Sequence, residues 1–139
     1  MLNLPPFHFA FPVDDLVAAE RFYCGVLGCT TGRRDTHWID FNFYGHQIVA
    51  HLTDHVASNT HNPVDNKSVP VPHFGVILDW ARWEELAQNL QQQHMQFEIE
   101  PYVRFAGQKG EQATMFFRDP AGNAIEIKAF RTVEAIFET

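Results

Sequence analysis

This sequence has little cysteine, little positive charge and no long run of apolar residues. Its two cysteines, Cys24 and Cys29, are too few for the disulfide framework of a small secreted protein, so we expect reduced thiols and a cytoplasmic location. Ten Lys and Arg against 17 Asp and Glu give a net charge of −7, which argues against a nucleic-acid or anionic-membrane binder. No apolar run approaches the roughly 20 residues that span a bilayer. The hydrophobic fraction of 45% and the aromatic fraction of 14% are those of a globular protein.

The 139 residues contain two segments with the same order of predicted elements. In the first, a strand over 6–13 precedes Asp14 or Asp15 as helix N-cap, an amphipathic helix that ends at Gly28, and three strands. In the second, Asp79 takes the N-cap role. The predicted strands of the two segments are 6–13, 29–34, 37–44 and 46–53, then 72–78, 97–104, 112–117 and 124–130. We predict one α+β domain over 1–139, with two βαβββ modules at about 6–53 and 70–130 and a polar linker at 54–69.

Strand alternation separates a core face from an open face in each module. Phe7, Phe9 and Phe11 share one face of the first strand and are expected to pack beneath the helices. The opposite, open face receives one ligand-capable side chain from each of four strands: His8, His51, His73 and Glu126. The first strand of each module supplies a histidine, and the last supplies His51 or Glu126. Imidazole nitrogen and carboxylate oxygen are donors that Fe(II), Mn(II), Ni(II) and Zn(II) accept.

Three stretches resemble the vicinal-oxygen-chelate superfamily of glyoxalases, bleomycin-resistance proteins and extradiol dioxygenases. They are HFAFPVDDLVAAERFYCGVLGC, VPHFGVIL and FFRDPAGNAIEIKAF. The last is the most specific, since a DP-x-GN turn leads directly to a metal-ligand glutamate in many members. Within the superfamily, the sequence is most similar to a small bacterial group described as predicted extradiol-type dioxygenases. The resemblance implies two βαβββ modules whose mixed sheets curve around a metal ion.

The resemblance also implies the ligand set. His8, His73 and Glu126 match the two-His-one-carboxylate arrangement, for which we expect Fe(II), with Zn, Ni or Mn as alternatives. His51 stands where glyoxalase I has a glutamate that is both ligand and base, so the carboxylate of that reaction is missing here. His51 is either a fourth ligand or a base outside the ligand set.

Three functions stay open at this point. The first is a metal-dependent dioxygenase that acts on a catechol-type or other vicinal-oxygen substrate, with His51, Tyr102, Arg104 and Glu111 as candidate catalytic residues. Arg104 would hold a substrate carboxylate. The second is a glyoxalase-type lyase or isomerase that uses a redox-inert ion, and the third is a non-catalytic binding protein.

Asn42, His46 and Gln112 are further residues that could line the mouth of the site. We expect a homodimer, with the site either inside one chain or across the dimer interface.

Overall fold

The computed structural model describes residues 4–54, 56 and 60–139, and the chain divides into two compact units. The first unit contains β1 (His8–Val13), α1 (Leu16–Glu20), β2 (Thr30–Arg34), β3 (Trp38–Phe43) and β4 (His46–Leu52). The second contains β5 (Thr60–Val64), β6 (Lys67–Val71), β7 (Phe74–Leu78), α2 (Trp80–Gln92), β8 (Ile99–Arg104), β9 (Gln112–Arg118) and β10 (Ala124–Phe130). A short 3-10 helix, Val133–Phe137, follows.

Each unit contains a four-stranded mixed sheet with the same topology. The strand orders are β1-β4-β3-β2 and β7-β10-β9-β8. In both sheets the first strand runs parallel to the last, and the other pairs are antiparallel. The predicted α+β fold with two βαβββ modules is therefore confirmed.

Local sequence signals fix where the helices begin. Asp15 accepts a hydrogen bond from the backbone N–H of Ala18, and Asp79 accepts one from Arg82 in the same way, so both aspartates are N-caps as predicted. Beyond Glu20 the first helix continues as a π-helix over Arg21–Val26, a widening that periodicity did not predict.

Two features differ from the sequence predictions. Phe7, expected in the core with Phe9 and Phe11, is 64% exposed. The segment predicted as the linker, 54–69, includes the hairpin of β5 and β6, whose turn Asp65-Asn66 has positive φ at both residues, as in a type I′ hairpin. Residues 55 and 57–59 of this linker lie outside the described part of the chain. None of the helices described is long and apolar enough to cross a membrane.

The turn Asp119–Asn123 belongs to the first unit although β9 and β10, which flank it, belong to the second. The Tyr23 hydroxyl donates to Asp119 across 2.8 Å, and the Asn123 side-chain amide donates to the Pro12 carbonyl across 2.8 Å. Asp119 also accepts hydrogen bonds from the backbone N–H groups of Ala121 and Asn123. The predicted turn is therefore present, and these bonds attach it to the first unit.

Candidate metal site in the second unit

His73 and Glu126 face each other on the sheet of the second unit. The imidazole Nε2 lies 3.1 Å from Oε1 of Glu126, and the two side chains are 28% and 10% exposed. His73 Nδ1 lies 2.7 Å from the carbonyl oxygen of Pro70, which can only accept, so Nδ1 carries the proton and donates. In the imidazolium form Nε2 also carries a proton and donates to Glu126, and loss of that proton leaves an Nε2 lone pair beside the carboxylate. This orientation, with the far nitrogen donating to a carbonyl, is the usual one for a metal-ligating histidine.

The separation of these two atoms suits a shared cation. Two ligand atoms at about 2.1 Å from an ion and at right angles to each other are about 3.0 Å apart, close to the observed 3.1 Å. The ring of His73 packs edge-on against Phe116, with centroids 5.0 Å apart. The two donors are therefore held in a geometry that fits neighbouring positions around a divalent metal ion.

The remaining oxygen of Glu126 is also hydrogen-bonded. Thr114, which is buried, donates its hydroxyl to Oε2 across 2.5 Å. Burial acts to raise the pKa of Glu126, but hydrogen bonds from His73 and Thr114 outweigh it, and the net shift is downwards. The hydrogen bond with Glu126 is the largest cause of a raised pKa at His73. The carboxylate is therefore ionised at neutral pH and available to a cation.

A cavity of about 100 Å³ opens beside this pair, and all of its lining belongs to the second unit. Val64 and Val69 of the hairpin pack with Ile99, Phe116 and Tyr102 to form its apolar side. The polar lining consists of His73, Tyr102, Arg104, Thr114, Glu126 and Lys128. The structure thus brings four predicted site residues together: His73, Glu126, Tyr102 and Arg104.

Thr114 and Lys128 were not predicted as site residues. Lys128 is two residues beyond Glu126 on β10, and Thr114 pairs with Lys128 across the strands. Strand alternation alone would have placed Lys128 on the face of Glu126. No sequence signal identifies the partner of Thr114, because this depends on the register between β9 and β10.

Tyr102 and Arg104 have defined environments in this cavity. Burial raises the pKa of Tyr102, so its hydroxyl is protonated at neutral pH. Arg104 donates from Nε to Asp65 of the hairpin turn across 2.7 Å, and its side chain is 16% exposed. Lys67, two residues after Asp65, places its Nζ 5.0 Å from the centroid of the Tyr102 ring. The hairpin is thereby attached to β8 at two adjacent points of the cavity.

His8 has a similar orientation in the first unit. Its Nδ1 lies 2.8 Å from the Gln47 side-chain oxygen, and the Gln47 amide nitrogen donates to Asp40 across 3.2 Å. Since the amide oxygen accepts, Nδ1 of His8 donates to it. His8 and His73 therefore both have Nδ1 engaged by an oxygen acceptor, and a metal-binding role of His8 stays a prediction.

The register of the first unit does not pair His51 with His8. His8 lies opposite Gln47 and Pro12 lies opposite His51, so the two histidines are four residues apart along the strands, about 13 Å. In the second unit Glu126 lies opposite Gly75, two residues beyond His73. The corresponding position in the first unit, opposite Ala10, is Val49. The predicted equivalence of His51 and Glu126 is therefore wrong by two residues of register.

Glu111 is also placed differently from the prediction. It accepts from Arg131 across 2.9 Å and from the backbone N–H of Gly107 across 3.0 Å, and it is not part of the cavity lining. It closes the loop before β9 rather than facing the cavity.

Asn42 and His46 line a different cavity, of about 480 Å³, in the first unit. Both side chains there accept backbone hydrogen bonds, Asn42 from Gly45 and His46 from Phe7. Within 4–54, 56 and 60–139, no group of three or more His, Cys, Asp or Glu side chains is gathered for a metal. Of the four predicted ligands, the structure brings His73 and Glu126 together within the second unit. The metal-binding roles of all four stay predictions.

Comparison with known proteins agrees with this topology. The sequence-family model of the Glyoxalase/Bleomycin resistance protein/Dioxygenase superfamily matches residues 6–127 of this chain. The chain belongs to this superfamily. A glyoxalase/bleomycin resistance protein/dioxygenase from Alicyclobacillus acidocaldarius is 30% identical, with a TM-score of 0.80 over 99% of this chain and 100% of the other. No curated protein matches the sequence.

More distant superfamily structures share the fold alone. The fosfomycin resistance protein FosX from Listeria monocytogenes is 16% identical, with a TM-score of 0.68 over 97% of this chain and 98% of that one. Lactoylglutathione lyase from Agrobacterium tumefaciens is 18% identical, with a TM-score of 0.64 over 94% of this chain and 97% of that one. These relatives have different activities, so the superfamily fixes the fold and leaves the reaction to be argued from the site.

Proposed function

We propose that this protein is a metal-dependent, dioxygenase-like enzyme that acts on a small substrate with two neighbouring oxygens. The observation that carries the proposal is the orientation of His73, whose Nδ1 donates to Pro70 while Nε2 lies 3.1 Å from Glu126. His73 and Glu126 would hold the ion, and the assignment of His8 as a third ligand stays a prediction. His8, His73 and Glu126 would form the set typical of non-haem Fe(II) oxygenases.

The register of His51 supports this choice of reaction. With four protein ligands, a six-coordinate ion could not take both dioxygen and a chelating substrate. Because His51 is out of register with His8, we leave it out of the ligand set, and three positions stay open. A bound ion would lower the pKa of a coordinated substrate hydroxyl and, as iron, would supply redox chemistry with dioxygen.

The side chains of this chain would bind the substrate and move its protons. Arg104 and Lys128 provide positive charge on the cavity wall, and Val64, Val69 and Phe116 exclude water from one side. Tyr102, which is held protonated, can donate a hydrogen bond or a proton to a substrate oxygen. The hydroxyl of Thr114 keeps the Glu126 carboxylate facing His73.

A glyoxalase-type lyase or isomerase is the second candidate, and the position of Tyr102 favours it, because its hydroxyl lines the cavity with His73 and Glu126 and can donate a hydrogen bond to a substrate oxygen. The metal separates the two candidates. Activity with Zn(II) or Ni(II) and no oxygen uptake would establish the lyase or isomerase. Oxygen uptake with the Fe(II) protein would establish the dioxygenase.

Elemental analysis of freshly purified protein tests the site itself. We expect about one divalent metal per chain in the wild type and almost none in His73→Ala and Glu126→Gln, while the exposed His37→Ala serves as control and keeps its metal. His8→Ala tests the third ligand in the same assay. Equal metal content in His73→Ala and wild type would refute the proposed site. The homodimer and the cytoplasmic location stay predictions, and light scattering after size exclusion tests the former.

A further inference from the structure

The size of the cavity beside His73 restricts the substrate. It measures about 100 Å³, whereas a dry protein cavity of about 150 Å³ is of the size that takes up benzene. This space therefore fits a molecule of two to four carbon atoms, whereas the ring of an aromatic diol would extend beyond it.

The charges around the cavity favour an anion. Arg104 and Lys128 both line it, and Lys128 is close enough to lower the pKa of Glu126. Arg104 uses Nε for Asp65, and its terminal Nη atoms have no hydrogen-bond partner within the residues described. With a divalent ion bound, Arg104, Lys128 and the ion supply four positive charges against one each from Glu126 and Asp65. A carboxylate on the substrate would offset part of the surplus positive charge.

Gln112, expected from the sequence near the mouth of the site, does not line this cavity. It lies opposite Arg104 in the pairing of β8 and β9, and its side-chain nitrogen donates to the Gly110 carbonyl. Its Oε1 is buried away from the cavity surface, so Gln112 takes no part in the proposed ligand contacts.

We propose that the cavity binds a small aliphatic carboxylate with an oxygen on the neighbouring carbon, such as a 2-hydroxy or 2-oxo acid. Arg104 and Lys128 contact the carboxylate, and the neighbouring oxygen faces His73 and Glu126. This inference rests on the proposed function, since it uses the same pair of metal-ligand side chains.

Calorimetric titration with four probes tests the ligand class, on both the Zn(II)-loaded and the metal-free protein. Glycolate and ethylene glycol have similar size and differ in the carboxylate. Mandelate is glycolate with a phenyl group added, and catechol is the aromatic diol. We expect glycolate to bind at least tenfold more tightly than ethylene glycol, with no binding of mandelate or catechol. Equal binding of glycolate and ethylene glycol, or tight binding of mandelate, would overturn the proposal.

Matched variants identify the groups that bind the carboxylate. Loss of a charge-assisted hydrogen bond should weaken glycolate binding about ten- to a hundredfold in Arg104→Met and in Lys128→Met. Lys109→Met, an equal change of charge on the exposed loop before β9, should leave it within twofold. All variants should show the melting temperature of the wild type to within a few degrees.

Asp65→Asn separates anion binding from attachment of the hairpin. This change removes the carboxylate that competes for Arg104 but keeps the cation, and asparagine tolerates the positive φ of 52° at this position. We expect glycolate to bind Asp65→Asn at least as tightly as wild type. If Asp65→Asn and Arg104→Met weaken binding equally, Arg104 acts only by holding the hairpin, and the proposal fails.

Metal analysis of the same samples separates this inference from the proposed function. A protein that takes up no metal but prefers glycolate in an Arg104-dependent way would refute the metal enzyme and keep the anion site. A protein that binds metal through His73 and Glu126 but shows no preference for glycolate would keep the proposed metal site and refute the carboxylate site.

Discussion

Gly75 and Glu126 lie opposite each other in the parallel pair of β7 and β10, and the backbone of Glu126 occupies the space that a Cβ at Gly75 would need. The carboxylate beside His73 is therefore positioned by a close approach of two strands. A side chain at residue 75 would have to displace backbone rather than a flexible side chain. The position of Glu126 thus depends on a glycine that contributes no ligand atom.

Gly75→Ala should accordingly damage both the fold and the metal site. We expect it to lower the free energy of unfolding by about 1–3 kcal/mol, the usual cost of overpacking, and to reduce metal content. Gly25→Ala is the matched control, because nothing lies within 4 Å of a Cβ there and the residue is helical. Urea unfolding and elemental analysis of both variants check this. Wild-type stability in Gly75→Ala would contradict the close approach.

Thr114→Val should weaken metal binding without abolishing it. The hydroxyl donates to Oε2 of Glu126, and loss of such a supporting hydrogen bond typically costs about 10–100-fold in metal affinity. Competition with a chromophoric chelator measures the change. Thr30→Val, an exposed position in the first unit, should keep the wild-type affinity. Unchanged affinity in Thr114→Val would show that Glu126 does not need this donor.

Tyr23→Phe should change the dependence of stability on alkaline pH. Burial, followed by the charge of Asp119, raises the pKa of the folded Tyr23 well above the unfolded value of about 10. Its contribution is therefore complete below pH 10 and is lost as the pH rises from 10 towards the folded pKa. We expect Tyr23→Phe to cost about 1–3 kcal/mol at pH 8, and less at pH 11. A difference between the two proteins that grows with pH would contradict this sign.

The two cysteines should react at different rates with a thiol reagent at pH 8. Burial raises the pKa of Cys29 to about 12, and its side chain is 8% exposed. Cys24 is more accessible, although its pKa is also raised, chiefly by burial. We expect one faster and one very slow thiol, with the faster phase absent in Cys24→Ser and both thiols fast in urea. A fast phase that persists in Cys24→Ser would assign it to Cys29 and contradict the burial.

Much of the fold is readable from the sequence because its signals are local. Asp15 and Asp79 cap the helices, Gly45 and the Asp119–Asn123 turn separate strands, and alternation identifies the open face. The hairpin of β5 and β6 was missed because its strands, THNPV and KSVPV, are polar or interrupted by proline. They gain their stability from packing on Ile99 and Phe116, which local sequence does not show.

The alternation of side chains along a strand was enough to predict that His73 and Glu126 share a face. The position of His51 also depends on the register between two strands, which alternation does not give. His73 and Glu126 lie on one face by alternation, and the structure confirms that they face each other. The position of His51 depends on how β4 is aligned with β1, and a shift of two residues preserves every alternation while moving the side chain about 7 Å. The interaction of Glu111 with Arg131 is likewise a long-range pairing of two loops that flank β9 and β10.

The interleaving of the chain at Asp119–Asn123 has a consequence for dissection of the protein. A fragment that stopped before Thr60 would contain β1–β4 but would lack the carboxylate that Tyr23 binds and the amide that closes onto Pro12. The two modules follow one another in the sequence, but the first unit also includes the turn at 119–123. No single cut in the polypeptide therefore separates the two units completely. Shuffling of modules between relatives would require the tyrosine and the distant turn to be exchanged together.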